Sequence, residues 1–135
     1  MPGLVELGFV EIPATFSTSS VPYVDIPGVT LTLTALASEA WLLNTQLSLS
    51  SSAGSLVNSQ SVTRYDADGT SIDFLAHRTR TSGTGQTQSL SVLTQAFAAG
   101  SRTVKLQGRA RSGLLSWERD SIDGATTFLQ ALSVR

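Results

Sequence analysis

The chain has 135 residues and no cysteine, so it is long enough to bury a hydrophobic core and cannot use disulfides to stabilise one. Charged residues make up 14% of it, against about 25% in an average domain, and serine and threonine fill the difference. The net charge of −1 excludes a strongly basic protein, and no stretch approaches the roughly 20 apolar residues of a membrane span.

The first 28 residues differ in composition from the rest. They contain all four prolines of the chain: Pro2, Pro13, Pro22 and Pro27. Proline cannot donate to a β-ladder, so we expect no regular strand in this segment. Its apolar residues, Phe9 and Ile12 among them, are too dense for a disordered tail. The sequence therefore predicts an extended N-terminal arm over 1–28, seated on its own domain or on a neighbour, and a β-domain over 29–135.

Apolar residues alternate with serine and threonine after residue 28, and this alternation predicts about eight strands. These are Val29–Ala35, Trp41–Leu49, Leu56–Tyr65, Ile72–Thr79, Leu90–Phe97, Thr103–Arg111, Leu114–Glu118 and Thr126–Val134. Leu42 departs from the alternation and faces the polar side of its strand. Asp68-Gly69 is typical of a hairpin turn, and Thr81–Thr87 reads as a loop. With no helical period, the pattern indicates an all-β antiparallel sandwich or barrel.

Three carboxylates, Asp66, Asp68 and Asp73, lie close to Gly69, and carboxylates in a turn can bind calcium. The rest of a calcium-loop pattern is missing, so an ordinary hairpin is favoured and we predict neither a metal nor another cofactor.

Catalytic signals are weak. His77 is the only histidine, and the chain has no Gly-x-Ser-x-Gly motif. Gly83-Thr84-Gly85 lacks the helix and lysine of a phosphate-binding loop. The acids of the late turn, Glu118, Asp120 and Asp123, are expected to be solvated. The sequence therefore predicts no catalytic residue and no enzymatic activity.

The basic residues are distributed unevenly. Residues 1–63 carry four acidic and no basic residues, whereas 64–135 carry all nine basic residues. Lys105, Arg109 and Arg111 project from one face of one predicted strand. Such a stripe fits an acidic protein, an acidic glycan, nucleic acid or plain solvation. Nucleic acid is disfavoured, because the chain is slightly acidic and has few aromatic residues near the stripe.

We hypothesise that residues 1–28 of one copy, or an acidic surface of a larger assembly, engage this stripe. The candidate interaction surface consists of five residues: Phe9, Ile12, Lys105, Arg109 and Arg111.

Residues 96–107, Ala-Phe-Ala-Ala-Gly-Ser-Arg-Thr-Val-Lys-Leu-Gln, resemble a hairpin of phage-encoded jelly rolls, which are similar to tumour-necrosis-factor-like and complement-type globular heads. Residues 123–134 resemble the closing strand of those domains. The resemblance spans about residues 22–135, and Arg102 stands where the family often has histidine. It implies a jelly-roll β-sandwich that forms a homotrimer within a virion, with the closing strand near the trimer axis.

The function expected from the resemblance is that of a bacteriophage capsid decoration (cement) protein on the outer capsid surface, bound to the major capsid protein or another virion protein. A start at Met1 without a signal peptide, heptads or repeats agrees with a free-standing domain. The alternative is a receptor- or glycan-binding tip of a phage fibre or head spike. In that case Trp41, Tyr65 and Trp117 would be candidate stacking platforms, although core burial is favoured for Trp41. A carbohydrate-active enzyme ranks last.

Overall fold

The computed structural model describes residues 3–51, 59–79, 86–110, 114–119 and 125–135. Within them it contains ten strands. These are β1 (Leu4–Glu11), β2 (Phe16–Thr18), β3 (Val24–Ala35), β4 (Leu42–Ser51), β5 (Ser59–Ala67), β6 (Thr70–Thr79), β7 (Gln86–Leu93), β8 (Gly100–Ala110), β9 (Leu115–Trp117) and β10 (Phe128–Val134). Each of the eight predicted strands overlaps an observed one.

The strands form two antiparallel sheets. The first has the order β1-β10-β4-β9-β2, and β7 pairs with the other edge of β4; the second has the order β3-β8-β5-β6. Strands from β3 onward cross repeatedly between the two sheets, and the first and last strands, β1 and β10, are neighbours. This is the connectivity of a jelly roll, so the predicted all-β jelly-roll sandwich is confirmed.

The core lies between the two sheets and contains large aromatic residues at several levels. Trp41 packs against Phe97 with ring centroids 4.7 Å apart. Trp117 lies over the backbone of Gly108, where no β-carbon would fit, and its indole N–H donates to the Thr63 hydroxyl at 3.0 Å. The side chain of Tyr65 is completely buried. These residues hold the two sheets in one alignment.

The N-terminal segment contains regular structure that the sequence did not predict. β1 pairs with β10 from Leu4 to Glu11, with a register shift between Glu6 and Gly8, and β2 pairs with β9. The expectation that this segment forms no strand is therefore wrong. The predicted boundary after residue 28 also falls inside β3. A separate role for residues 1–28 in attachment stays a prediction.

Proline is accommodated where its missing N–H does no harm. Pro27 lies in β3, an edge strand of the second sheet, within a register irregularity between Asp25 and Thr30. The next residue, Gly28, has a φ of 78°, and Pro13 packs so closely on it that a β-carbon would lie 2.5 Å from the proline ring. The two features together require glycine at this position.

The β5–β6 hairpin turns at Asp68 and Gly69, whose φ values of 51° and 91° match the predicted Asp-Gly turn. Over the part of the chain that is described, no helix is long and apolar enough to cross a membrane.

Candidate interaction surfaces

The outer face of the first sheet carries a row of leucines at one end. Leu132 on β10 pairs with Leu42 on β4, and Leu42 pairs with Leu93 on β7. Residues directly opposite one another in a ladder point to the same side of the sheet, so the three side chains are neighbours. Leu93 is 65% exposed. Leu42, which departs from the alternation of its strand, is thus part of an apolar surface shared by three strands.

Further apolar side chains extend this surface toward β1. Leu4 pairs with Val134, and both are more than 60% exposed. Phe9 stacks on Phe128 with ring centroids 5.1 Å apart and is 45% exposed. We call the residues Leu4, Phe9, Leu42, Leu93, Phe128, Leu132 and Val134 the apolar face.

The polar groups next to the apolar face on β4, β7 and β10 are neutral, whereas on β1 Glu6 lies opposite Leu132 and Glu11 opposite Phe128. Asn44 donates to the Gln130 side chain at 3.1 Å and accepts from the Ser91 hydroxyl at 2.6 Å. Among the described residues pointing outward from β10, β4 and β7, none is charged. Depletion of charge with retained apolar side chains is typical of the core of a protein interface.

An ion pair with a buried carboxylate lies at the same end of the sandwich. Glu39, with a side chain 6% exposed, accepts from Arg135 at 2.8 Å and from the Trp41 indole at 2.9 Å. These donors outweigh the opposing effect of burial and hold the pKa of the Glu39 carboxyl far below its usual range. A shallow cavity of about 300 Å³ opens beside the pair and is lined partly by Leu36 and Val134.

The outer face of the second sheet is polar and internally bonded. Asp25 accepts from Lys105 at 3.0 Å and from the Gln107 amide at 2.7 Å, and both donors lower the pKa of its carboxyl. The guanidinium of Arg64 donates to Gln107 at 2.8 Å. Lys105 of the predicted basic stripe is therefore neutralised by Asp25, a residue of the N-terminal segment of the same chain.

Tyr23 brings two arginines of this second face together. The Cζ atoms of Arg64 and Arg109 lie 3.9 and 4.8 Å from the centroid of its ring. Tyr23 and Arg64 were not among the predicted surface residues, because no periodicity in the sequence indicates which aromatic residue crosses two strands to meet an arginine.

The five predicted surface residues do not form one surface. Phe9 lies on the apolar face of the first sheet, whereas Lys105 and Arg109 lie on the second sheet. Ile12 is completely buried in the core, so it has to be taken out of the predicted surface. Arg111 lies outside the described residues.

Two carboxylates of the acidic turn bond within the chain, and the side chain of the third, Asp73, lies outside what the structure describes. Asp66 accepts from the backbone N–H of Gly69 at 2.8 Å, and Asp68 forms a 3.1 Å ion pair with Arg102. Arg102, which replaces the histidine frequent in the similar family, also donates to the carbonyls of Ala98 and Ala99. Across the described stretches, no cluster of three or more histidine, cysteine, aspartate or glutamate side chains could hold a metal ion.

Other candidate positions fall in two groups. His77 lies on β6, an edge strand of the second sheet. Gly83, Gly85, Asp120 and Asp123 lie outside the described residues.

All three candidate stacking platforms are buried. Trp41, Tyr65 and Trp117 have no exposed surface. Core burial is confirmed for Trp41, and the idea that these rings could present a flat platform to a sugar is wrong, because each ring is enclosed between the sheets.

No protein-family model matches the sequence, and no curated protein sequence matches it. Several solved structures do match the fold. Eiger TNF from S. frugiperda superposes with a TM-score of 0.57 at 11% identity, over 100% of this chain and 94% of its own. Murine APRIL gives a TM-score of 0.53 at 14% identity, over 97% and 99% of the two chains.

A viral capsid protein shares the fold as well. VP2 of infectious bursal disease virus, in derived T=1 particles, gives a TM-score of 0.53 at 12% identity. The match covers 98% of this chain and 39% of the VP2 chain. At such low identity the similarity shows the fold alone: the chain is a jelly roll of the type found in TNF-like proteins and in a viral capsid protein.

Proposed function

We propose that this protein is a non-enzymatic structural protein of a bacteriophage virion: a homotrimeric decoration protein that stabilises the outer surface of the capsid. The observation that carries the proposal is the apolar face, which places seven apolar side chains on the outside of a sheet. The described outward positions of β4, β7 and β10 hold no charged residue, and the charged neighbours, Glu6 and Glu11, are on the edge strand β1. A surface of this composition is stabilised by burial against another subunit.

The apolar face also fits the resemblance noted in the sequence, which implies a trimer with the closing strand near its axis. In this chain the closing strand is β10, and it contributes Phe128, Leu132 and Val134 to the face. The jelly-roll similarity to the capsid protein VP2 supports a virion role, and the match to TNF-like folds supports association of like subunits.

Attachment to the capsid is assigned to the N-terminal segment and to the remaining basic residues. Repeated by threefold symmetry, small individual contacts would add up to strong binding. Stabilisation of the shell then follows by mass action, since a ligand that binds only the assembled state stabilises that state.

The alternative of a glycan-binding tip domain has less support. Its candidate aromatic platforms, Trp41, Tyr65 and Trp117, are all in the core.

Oligomeric state tests the first half of the proposal. Sedimentation velocity at micromolar concentration should give three times the 14.2 kDa monomer mass. Leu132→Glu should convert the trimer to monomer, because the charge would have to be buried at the centre of the face. Thr32→Glu, which adds the same charge to the exposed outer face of β3, is the matched control and should stay trimeric. A monomeric wild type, or a trimeric Leu132→Glu variant, would contradict this half.

Capsid binding tests the second half. Purified protein mixed with capsids of the phage that encodes it should co-sediment at a fixed ratio set by the capsid symmetry. Binding should raise the temperature at which the shell opens. If the protein is a trimer but does not co-sediment with capsids, the first half of the proposal stands and the decoration role is rejected.

A further inference from the structure

The outer face of the second sheet contains a pair of arginines that share one aromatic ring. Arg64 and Arg109 both lie over the ring of Tyr23, at 3.9 and 4.8 Å from its centroid. An aromatic ring attracts a cation, but two guanidiniums that share one ring also repel each other.

The neighbouring acids whose side chains the structure describes are engaged by other groups. Asp25 is engaged by Lys105 and Gln107, and Asp66 accepts from the backbone of Gly69. Within the described residues nothing accepts a hydrogen bond from Arg109, and its Nε is buried without a partner. A buried donor without an acceptor is costly, and an additional anionic group nearby would offset that cost.

We propose that Arg64, Arg109 and Tyr23 form a binding site for a single carboxylate, supplied by an acidic side chain of a partner protein. A guanidinium offers a planar pair of donors that matches the two oxygens of a carboxylate. The described side chains of this face include three basic groups (Arg64, Lys105, Arg109) and two acidic ones (Asp25, Asp66), and both acids already accept hydrogen bonds within the chain. A nucleic-acid backbone would bring several phosphates against the two aspartates.

The source is assigned to a protein because the site offers no surface for a sugar ring. The Tyr23 ring already carries two guanidiniums, and the rings of Trp41, Tyr65 and Trp117 are buried. The site lies on the sheet opposite the apolar face, so it does not depend on the proposed trimer. It names a ligand class for basic residues to which the proposed function assigns capsid attachment, and in that respect it rests on that function.

Nuclear magnetic resonance of the arginine Nε–Hε groups tests the site in the intact protein. Titration with sodium acetate should shift the Arg64 and Arg109 signals with a saturating curve, while sodium chloride at equal ionic strength should not. Arg102, whose guanidinium is held by Asp68 and two carbonyls, is the internal control and should not respond. Absence of a saturating shift at Arg64 and Arg109 would overturn the proposal.

Variants and other anions separate the remaining possibilities. Arg109→Gln should weaken acetate binding, followed at Arg64, about tenfold or more. Arg109→Lys, which keeps the charge but loses the planar fork, should also bind less tightly and serves if the glutamine variant does not fold. Wild-type affinity in both variants would reject the site. Tighter binding of sulfate than acetate would reject a carboxylate ligand, and glucuronate binding about tenfold tighter than acetate would assign the carboxylate to a glycan instead.

Discussion

The outer faces of the two sheets differ in composition: one is polar and the other is apolar. The second sheet covers its outside with threonines, a Lys105–Asp25 ion pair and arginines stacked on Tyr23, so its polar groups are largely bonded to one another. The first sheet places leucines of three adjacent strands on its outside, with Leu93 exposed and Leu42 and Leu132 half-buried, and their described neighbours on β4, β7 and β10 are neutral amides and hydroxyls. The first face thus has the composition of an interface, and the second that of a surface stable in water.

A contact shared by both sheets should matter more for folding than either face. Gly108→Val places a branched side chain where the Trp117 ring lies against the backbone, so we expect a loss of about 3 kcal/mol in the free energy of unfolding. Gly3→Ala, at a site with open space, is the control and should change it by less than about 0.5 kcal/mol. Urea denaturation measures both. A Gly108→Val variant as stable as Gly3→Ala would show that Trp117 does not hold the sheets together.

The Glu39–Arg135 pair, whose carboxylate is buried, should contribute more than any ion pair of the second face. Arg135→Met leaves the Glu39 carboxylate buried without its main partner, and breaking a buried pair is costly for this reason. We expect a fall in melting temperature several times larger than that caused by removing Lys105. Arg135→Lys, which keeps a positive charge, should recover part of the loss. Equal falls in melting temperature for Arg135→Met and Lys105→Met would show that the Glu39–Arg135 pair stabilises the fold no more than the Lys105–Asp25 pair does.

The same pair predicts how stability depends on pH. The folded pKa of Glu39 lies well below its ordinary value of 4.5, so the pair stabilises the fold fully above that value. The contribution is lost as pH falls from about 4.5 toward the lower folded pKa. The melting-temperature gap between wild type and Arg135→Met should therefore narrow between pH 6 and pH 3. A gap that stays constant over this range would mean that Glu39 does not titrate against Arg135.

Strand alternation predicted the body of the fold because one side of most strands is buried and the other is not. This alternation predicted eight of the strands, and the Asp68-Gly69 pair predicted the turn between β5 and β6. β1 was missed, since its apolar residues fall on both sides and a register shift before Gly8 interrupts the period. Of the residues in the apolar face, the alternation pattern singled out only Leu42, which departs from it. Its partners Leu93 and Leu132 come from distant strands, and pairing between distant strands is set by topology that a periodic pattern does not encode.

The smallest effect is expected on the second face. Lys105→Met removes a partly exposed ion pair with Asp25, and pairs of this kind contribute less than about 1 kcal/mol. The Asp25 carboxylate keeps the Gln107 amide as a donor, which limits the loss further. Added salt should weaken the wild-type pair, so the small difference from Lys105→Met should shrink at high ionic strength. Urea denaturation at low and high salt measures this. A loss of more than about 2 kcal/mol, insensitive to salt, would mean that the network on this face stabilises the fold as strongly as the core does.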